Sequence, residues 1–193
     1  ASQSDAEARH VERAKAALAQ LEPKRPPLES MICVTGYHTI LQNILSNIED
    51  ARQTISLYVR KEEYEQLCGK LREAADRGVR INAVFAVDQK DDIVCDFAAD
   101  FTYVQRLHSE QARQGNRWTI ITVDNRAGFI GITSWGEESM AVSTFNPAYV
   151  AFLTSNIAAY FVERDYMAVE NGHRFTSAEN SAYGKLRREL ALQ

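Results

Sequence analysis

The chain has 193 residues, 45% of them hydrophobic and 25% charged, which is the balance of an ordinary globular protein with a sizeable core. A formal net charge of -4 with a pI near 5.6 excludes the broad basic field needed to hold a phosphate backbone, so the chain alone is a poor nucleic-acid binder. Cys33, Cys68 and Cys95 are odd in number and never spaced as C-x-x-C, which argues against a disulfide framework and against a thiolate metal site and fits a reducing cytoplasm.

From residue 4 to residue 21 the apolar positions Val11, Ala14, Leu18 and Leu21 recur at steps of three and four among charged side chains. The spacing predicts a helix with a narrow seam over residues 1–22, suited to packing on its own domain or to pairing two copies as a short coiled coil. We expect it to form a homodimer. The run PKRPP cannot continue a helix, because proline lacks the amide donor and fixes φ, so residues 23–30 read as a linker. The chain begins with ASQSDAEARH, without an initiating Met or the pattern of a signal peptide, and we expect it to be cut from a longer protein. No apolar run of membrane-spanning length occurs, so no membrane partner is expected and the location is expected to be cytoplasmic.

A compact domain over residues 31–193 should follow the linker. Residues 31–34 form a short apolar strand, and Gly36, Tyr37, His38 and Thr39 lead into a helix with Ile40, Leu41, Ile44, Leu45 and Ile48 on one side. Residues 54–59 read as a strand, and the next helix carries Tyr64, Leu67, Cys68 and Leu71 and stops at Arg77-Gly78, a glycine C-cap. VRINAVFAV, residues 79–87, is apolar almost without a break, as a strand covered on both faces must be. Shorter alternating strands follow at 101–107, 118–123, 129–133 and 140–144. A long helix then points Val150, Leu153, Ile157, Tyr160 and Phe161 inward, and a weaker helix is expected over 177–192. The class is α/β, with a mixed β-sheet flanked by helices.

The motifs of common catalytic sites are missing. His10, His38, His108 and His173 are scattered, with no H-x-x-x-H pair and no cysteine at ligand spacing, so no metal is expected. Gly115, Gly128, Gly131 and Gly136 lie among strands rather than at a strand-to-helix turn, so a phosphate-cradling loop is not supported and no cofactor is expected. No G-x-S-x-G elbow occurs.

The segment GNRWTIITVDNRAGFIGITSW, following a βαβ unit, resembles half of a phospholipase D-type fold. The motif of that fold is His-x-Lys, four residues, Asp, then a glycine-rich turn. Setting its Asp on Asp124 puts Arg117 in the place of the His and Thr119 in the place of the Lys, with Gly131 and Ser134 near the turn. The chemistry is then lost, because arginine stays protonated and cannot attack phosphorus, and threonine supplies no cation for the phosphate. No catalytic residue is assigned.

A phospholipase D-like scaffold without its catalytic residues, behind a seam helix and a linker, is similar to the C-terminal region of TrmB-type transcriptional regulators. The patterns that carry this are Gly36-Tyr37-His38, IEDARQTISLYV at 48–59, LREAADRGVRI at 71–81 and the turn from Asp124 to Trp135. The resemblance implies a small-molecule effector, typically a sugar. It also implies that DNA is contacted only through a winged helix-turn-helix domain that this chain lacks. The expected effector pocket lies where the catalytic cleft would be, with Gly36, Tyr37 and His38 on one side and Arg117, Thr119, Asp124, Ser134 and Trp135 on the other. Each has a plainer reading: Trp135 as loop or core packing, Asp124 as a turn residue, His38 as a helix cap, Arg117 as a solvated strand-end charge. A phosphodiesterase of this fold and a ligand-free dimerisation module are the alternatives to an effector-sensing domain.

Overall fold

The computed structural model describes residues 31–87, 99, 101–106, 117–134 and 136–170. The helix expected at 1–22, the linker, the helix expected at 177–192 and Trp135 lie outside the described residues.

The described elements are β1 (Met31–Thr35), α1 (Tyr37–Asp50), β2 (Thr54–Arg60), α2 (Lys61–Asp76), β3 (Arg80–Val87), β4 (Phe101–Arg106), β5 (Trp118–Val123), β6 (Ala127–Ile132), β7 (Met140–Thr144) and α3 (Pro147–Glu170), with a 3-10 turn at Gly136–Glu138 before β7. The seven strands form one sheet in the order β1-β7-β6-β5-β2-β3-β4. β2, β3 and β4 run parallel, and the remaining neighbours are antiparallel. The expected mixed sheet flanked by helices is therefore present, and its parallel part is built on the β2-α2-β3 crossover.

Alternation along the strands sorts side chains onto two faces. Ile55, Leu57, Val59, Ile81, Phe85 and Ile121 pack against α1 and α2, whose buried seams are Ile40, Ile44 and Ile48 on one helix and Leu67, Leu71 and Ala74 on the other. On the reverse face Tyr58, Val84, Ala86 and Ile120 meet Leu153, Ile157, Ala158 and Phe161 of α3. β3 is buried along nearly its whole length because helices cover it from both sides, which is why its sequence is apolar without alternation.

Helix α2 stops as expected. Gly78 takes φ 83, a left-handed conformation that costs glycine nothing, and the Gly78 and Val79 amides donate to the Ala75 and Ala74 carbonyls at 2.8 and 3.0 Å. The Arg77 guanidinium then donates to the Ile48 and Glu49 carbonyls, closing the end of α1 and tying the two helices together. Gly128 admits α3, since a Cβ there would lie 2.9 Å from the Leu153 side chain. No helix among the described residues is long and apolar enough to cross a membrane.

Candidate functional site

The site region is the end of the sheet at which β2 closes and α2 begins, and where β5 begins and β6 closes. Arg117, just before β5, sends its Nε to Glu63 Oε1 at 3.1 Å and its Nη2 to the Thr133 carbonyl at 3.0 Å. The Thr133 hydroxyl lies 2.8 Å from the same Oε1 and 3.4 Å from the Thr119 hydroxyl. The Arg117 amide donates to Ser134 Oγ at 3.2 Å. Arg117, Thr119, Thr133 and Ser134 thus form one hydrogen-bonded set around a single carboxylate.

Glu63 is fully buried, and its second oxygen, Oε2, has no hydrogen-bond partner. Burial of a carboxylate is costly unless it is paired, and the Arg117 guanidinium and the Thr133 hydroxyl pair it here. Glu62, the exposed neighbour on α2, reaches Arg117 Nη1 at 4.0 Å. Tyr37 completes the rim at the start of α1. Its phenol is held above its ordinary pKa of 10.0, first by burial and then by the Glu63 carboxylate, with Arg117 opposing. Gly36 is anchored beside it at φ 84, its amide donating to the Ser139 carbonyl at 2.9 Å. His38 is exposed, its ring 5.8 Å from that of Tyr37. No side chain caps α1 at Gly36.

Of the eight residues expected to line a pocket, Gly36, Tyr37, Arg117, Thr119 and Ser134 come together at this end of the sheet. His38 lies on the outer side, and Trp135 is outside the described residues. Asp124 does not join them. It follows β5 at the far end from Arg117, roughly 20 Å away at the rise of a strand. There its Oδ2 accepts the Arg52 amide at 2.9 Å, and its Oδ1 accepts the Gln53 and Thr54 amides at 2.7 and 2.8 Å. Asp124 and Asn125 take φ values of 53 and 51 in a tight hairpin closed by the Arg126 amide on the Val123 carbonyl. Asp124 thus stands apart from the other expected residues and clamps the α1–β2 turn.

Glu63, Glu62 and Thr133 were not among the expected site residues. A signal existed for Glu63, which falls on the same side of α2 as Leu67, Leu71 and Ala74, so that a carboxylate stands on an apolar seam. At the two positions where the motif would carry His and Lys, the guanidinium has no free lone pair and the Thr119 hydroxyl is fully buried. Among the described residues no group of three or more His, Cys, Asp or Glu is placed to hold a metal ion.

No family model matches the chain. An uncharacterized protein, YrhO of Bacillus subtilis, is 28% identical over 149 residues, covering 77% of this chain and 52% of the relative, so the chain spans about half the length of the curated relative it matches. Among solved structures, TrmBL2, an archaeal chromatin protein with a novel mode of DNA binding, superimposes with a TM-score of 0.53 at 13% identity, over 83% of this chain and 63% of that one. NucT from Helicobacter pylori gives 0.52 at 13% identity over 67% and 94%. Nuc from Salmonella typhimurium, a phospholipase D family member, gives 0.47 at 14% identity over 67% and 93%. At these identities the likeness is one of fold: the chain shares its mixed α/β architecture with TrmBL2 and NucT.

Proposed function

We propose that this chain is the effector-sensing and dimer-forming part of a TrmB-type transcriptional regulator, and that it does not hydrolyse phosphodiesters. The observation that carries the reading is the set around Glu63. At the positions where a phospholipase D-type motif places His and Lys, Arg117 is consumed by an internal ion pair and Thr119 is buried against Thr133. The fold likeness to TrmBL2, itself a DNA-binding chromatin protein, supports a regulatory role. DNA contact belongs to a winged helix-turn-helix domain outside this chain. An effector, a sugar or related metabolite, would meet the rim formed by Tyr37, Glu62, Arg117 and Ser134, whose phenol, carboxylate, guanidinium and hydroxyl suit a polyhydroxylated ligand.

The test is a thermal-shift screen against sugars, sugar phosphates and other metabolites, beside a turnover assay with a chromogenic phosphodiester. We expect no turnover and at least one ligand that raises the melting temperature. Affinity for that ligand should fall at least about tenfold, or 1.4 kcal/mol, in Tyr37→Phe or Ser134→Ala. Turnover abolished by Arg117→Lys would replace this reading with a phosphodiesterase. A ligand bound equally by parent and variants would put the pocket elsewhere.

A further inference from the structure

Two helices, α1 and α2, begin at the end of the sheet where Arg117 lies. The N-terminus of a helix, with its unpaired amides and its dipole, favours an anion. Here both termini are met by carboxylates of the chain itself. The first turn of α2 carries Glu62 and Glu63. At the start of α1 no side chain caps Gly36, but a Cβ placed on that glycine would lie 3.4 Å from Glu137 Oε2, so the Glu137 carboxylate stands beside that terminus.

The guanidinium of the site is answered in the same way. Arg117 Nε meets Glu63 Oε1 at 3.1 Å, and its Nη1 lies 4.0 Å from Glu62 Oε1. The Tyr37 phenol reads the balance of these charges. Its pKa is raised first by burial and then by Glu63, with Arg117 opposing and Glu62 adding to the rise, so the carboxylates prevail at the rim. Arg60 follows Tyr58 by two residues along β2 and falls on the α3 face, and Lys61 is outside the set of charges that reach the phenol. The connections that follow β3 and β4, residues 88–100 and 107–116, carry in sequence five Asp and one Glu against Lys90 and Arg113, so they bring no excess of cations.

We propose that the effector taken at this rim is a cation, a protonated amine on a small hydroxyl-bearing frame, and that phosphorylated metabolites are turned away. The inference rests on the reading of this rim as an effector site and narrows its ligand. An ammonium group offers three donors and no acceptor. The rim answers with Glu62, half exposed, and with Glu63, whose Oε2 carries charge and takes no hydrogen bond. The Tyr37 phenol and the Ser134 hydroxyl remain for the hydroxyls of the frame.

Charge separates this ligand from its competitors. The donors that a phosphate oxygen would need, Arg117 Nε and the Thr133 hydroxyl, already share Glu63 Oε1. An anion entering beside them would face Glu62 and Glu63 with the guanidinium paired, and like charges in a partly buried cleft repel strongly. A neutral polyol meets no such repulsion, but its hydroxyls make only ordinary hydrogen bonds. A protonated amine on the same acceptors makes charge-assisted bonds, about twice as strong. Glu63 therefore sets the sign of the ligand while Glu62 receives it.

The experiment follows the backbone amide resonances of the isotope-labelled 193-residue chain at low salt during titration with ethanolamine, ethylene glycol and inorganic phosphate. We expect ethanolamine to shift the Gly36, Tyr37 and Ser134 amides saturably, with a dissociation constant at least about tenfold below those of the other two probes. Glu62→Gln should weaken ethanolamine about threefold. Glu63→Gln, of the same shape, should weaken it about tenfold, and Asp76→Asn, at the far end of α2, should change nothing. Circular dichroism checks the fold of each variant, and because Glu62 is exposed its arm decides the matter even if Glu63→Gln unfolds. Phosphate or ethylene glycol bound at these amides as tightly as ethanolamine overturns the proposal and leaves the effector-site reading standing. Ethanolamine that leaves these amides unmoved, or binds Glu62→Gln as tightly as the parent, overturns it too. Turnover of a phosphodiester would instead remove the effector-site reading itself, and the proposal with it.

Discussion

The two faces of this sheet are covered by helices that follow different rules. On one face α1 and α2 present polar and charged residues to solvent, and the layer beneath them contains a buried ion pair drawn from α2 and the start of β5. On the other face α3 packs apolar residues and the buried Thr154, which bonds Thr122, against the sheet, and its outer side is uncharged from Pro147 to Val162. The first layer resembles a finished surface with a polar site under its rim. The second resembles half of an interior. The contrast lies in charge: the buried carboxylate and its guanidinium stand where strand and helix ends converge, whereas the polar groups buried beneath α3 are the neutral Ser56, Asn82, Thr122 and Thr154.

The largest test of the contrast is on the apolar side. Phe161 is fully buried among residues of α3 and the reverse face of the sheet. Phe161→Ala should cost about 4 kcal/mol, the usual range for emptying a buried aromatic position, and be read as a lower urea midpoint with an unchanged slope. A loss under about 1 kcal/mol would mean that α3 is not part of the cooperative core and that the two layers do not share one folding unit.

On the polar side, Glu63→Ala removes the shared acceptor of the Arg117 guanidinium and the Thr133 hydroxyl. Because Arg117 is partly exposed and water can take over some of its bonds, the cost should be about 3 kcal/mol, below that of Phe161→Ala. Replacing both partners by leucine should recover most of it, since a buried pair is often no better than apolar residues of equal volume. If the double variant stays as unstable as Glu63→Ala, the second oxygen of Glu63 has a structural partner that the hydrogen-bonded set does not include.

The fold was largely legible because its signals are local. The unbroken apolar run of β3, the seam of α1 and the stop at Gly78 each reflect neighbours within a turn or a strand. The candidate site was half legible. Arg117 and Thr119 were marked by their place in a hairpin, and Ser134 by its turn. Glu63 stands 54 residues from its partner Arg117, so the ion pair could be known only after the β2-α2-β3 crossover brought α2 over β5. Asp124 stands apart for a geometric reason: seven residues after Arg117 along an extended chain, it lies at the other end of β5. Its turn chemistry, an Asp-Asn pair between two strands, was the better guide.

That placement has its own measurement. Asp124→Ala frees the Arg52, Gln53 and Thr54 amides, two of them in exposed surroundings where water can replace the carboxylate. The cost should be about 2 kcal/mol, with no change in the affinity of any ligand that binds at the Tyr37–Ser134 rim. A loss of ligand affinity with unchanged stability would return Asp124 to the pocket and break the division between clamp and site.

The smallest effect separates the faces by pH. Tyr58 lies under α3, stacked on Tyr160 with ring centroids 4.8 Å apart. Burial, and after it the neighbouring Tyr160, pushes the Tyr58 phenol well above its ordinary value of 10.0. In the unfolded chain this phenol ionises near pH 10, while the folded domain still holds the proton, so above that pH the unfolded state binds fewer protons and stability falls as pH rises. The contribution is intact below pH 10 and is lost progressively above it, at up to about 1.4 kcal/mol per pH unit for one group. Tyr58→Phe has no proton to hold, so between pH 9 and pH 11 its urea midpoint should decline less steeply than that of the parent, although the two differ little at pH 7. Lysines and the tyrosines away from Tyr58 titrate in both proteins and cancel, whereas Tyr160, whose phenol burial raises and the hydrogen bond with Tyr58 lowers, is separated by measuring Tyr160→Phe and the double variant beside it. Equal slopes would mean that Tyr58 ionises freely in the folded state, and that the layer beneath α3 is open to water where the structure closes it.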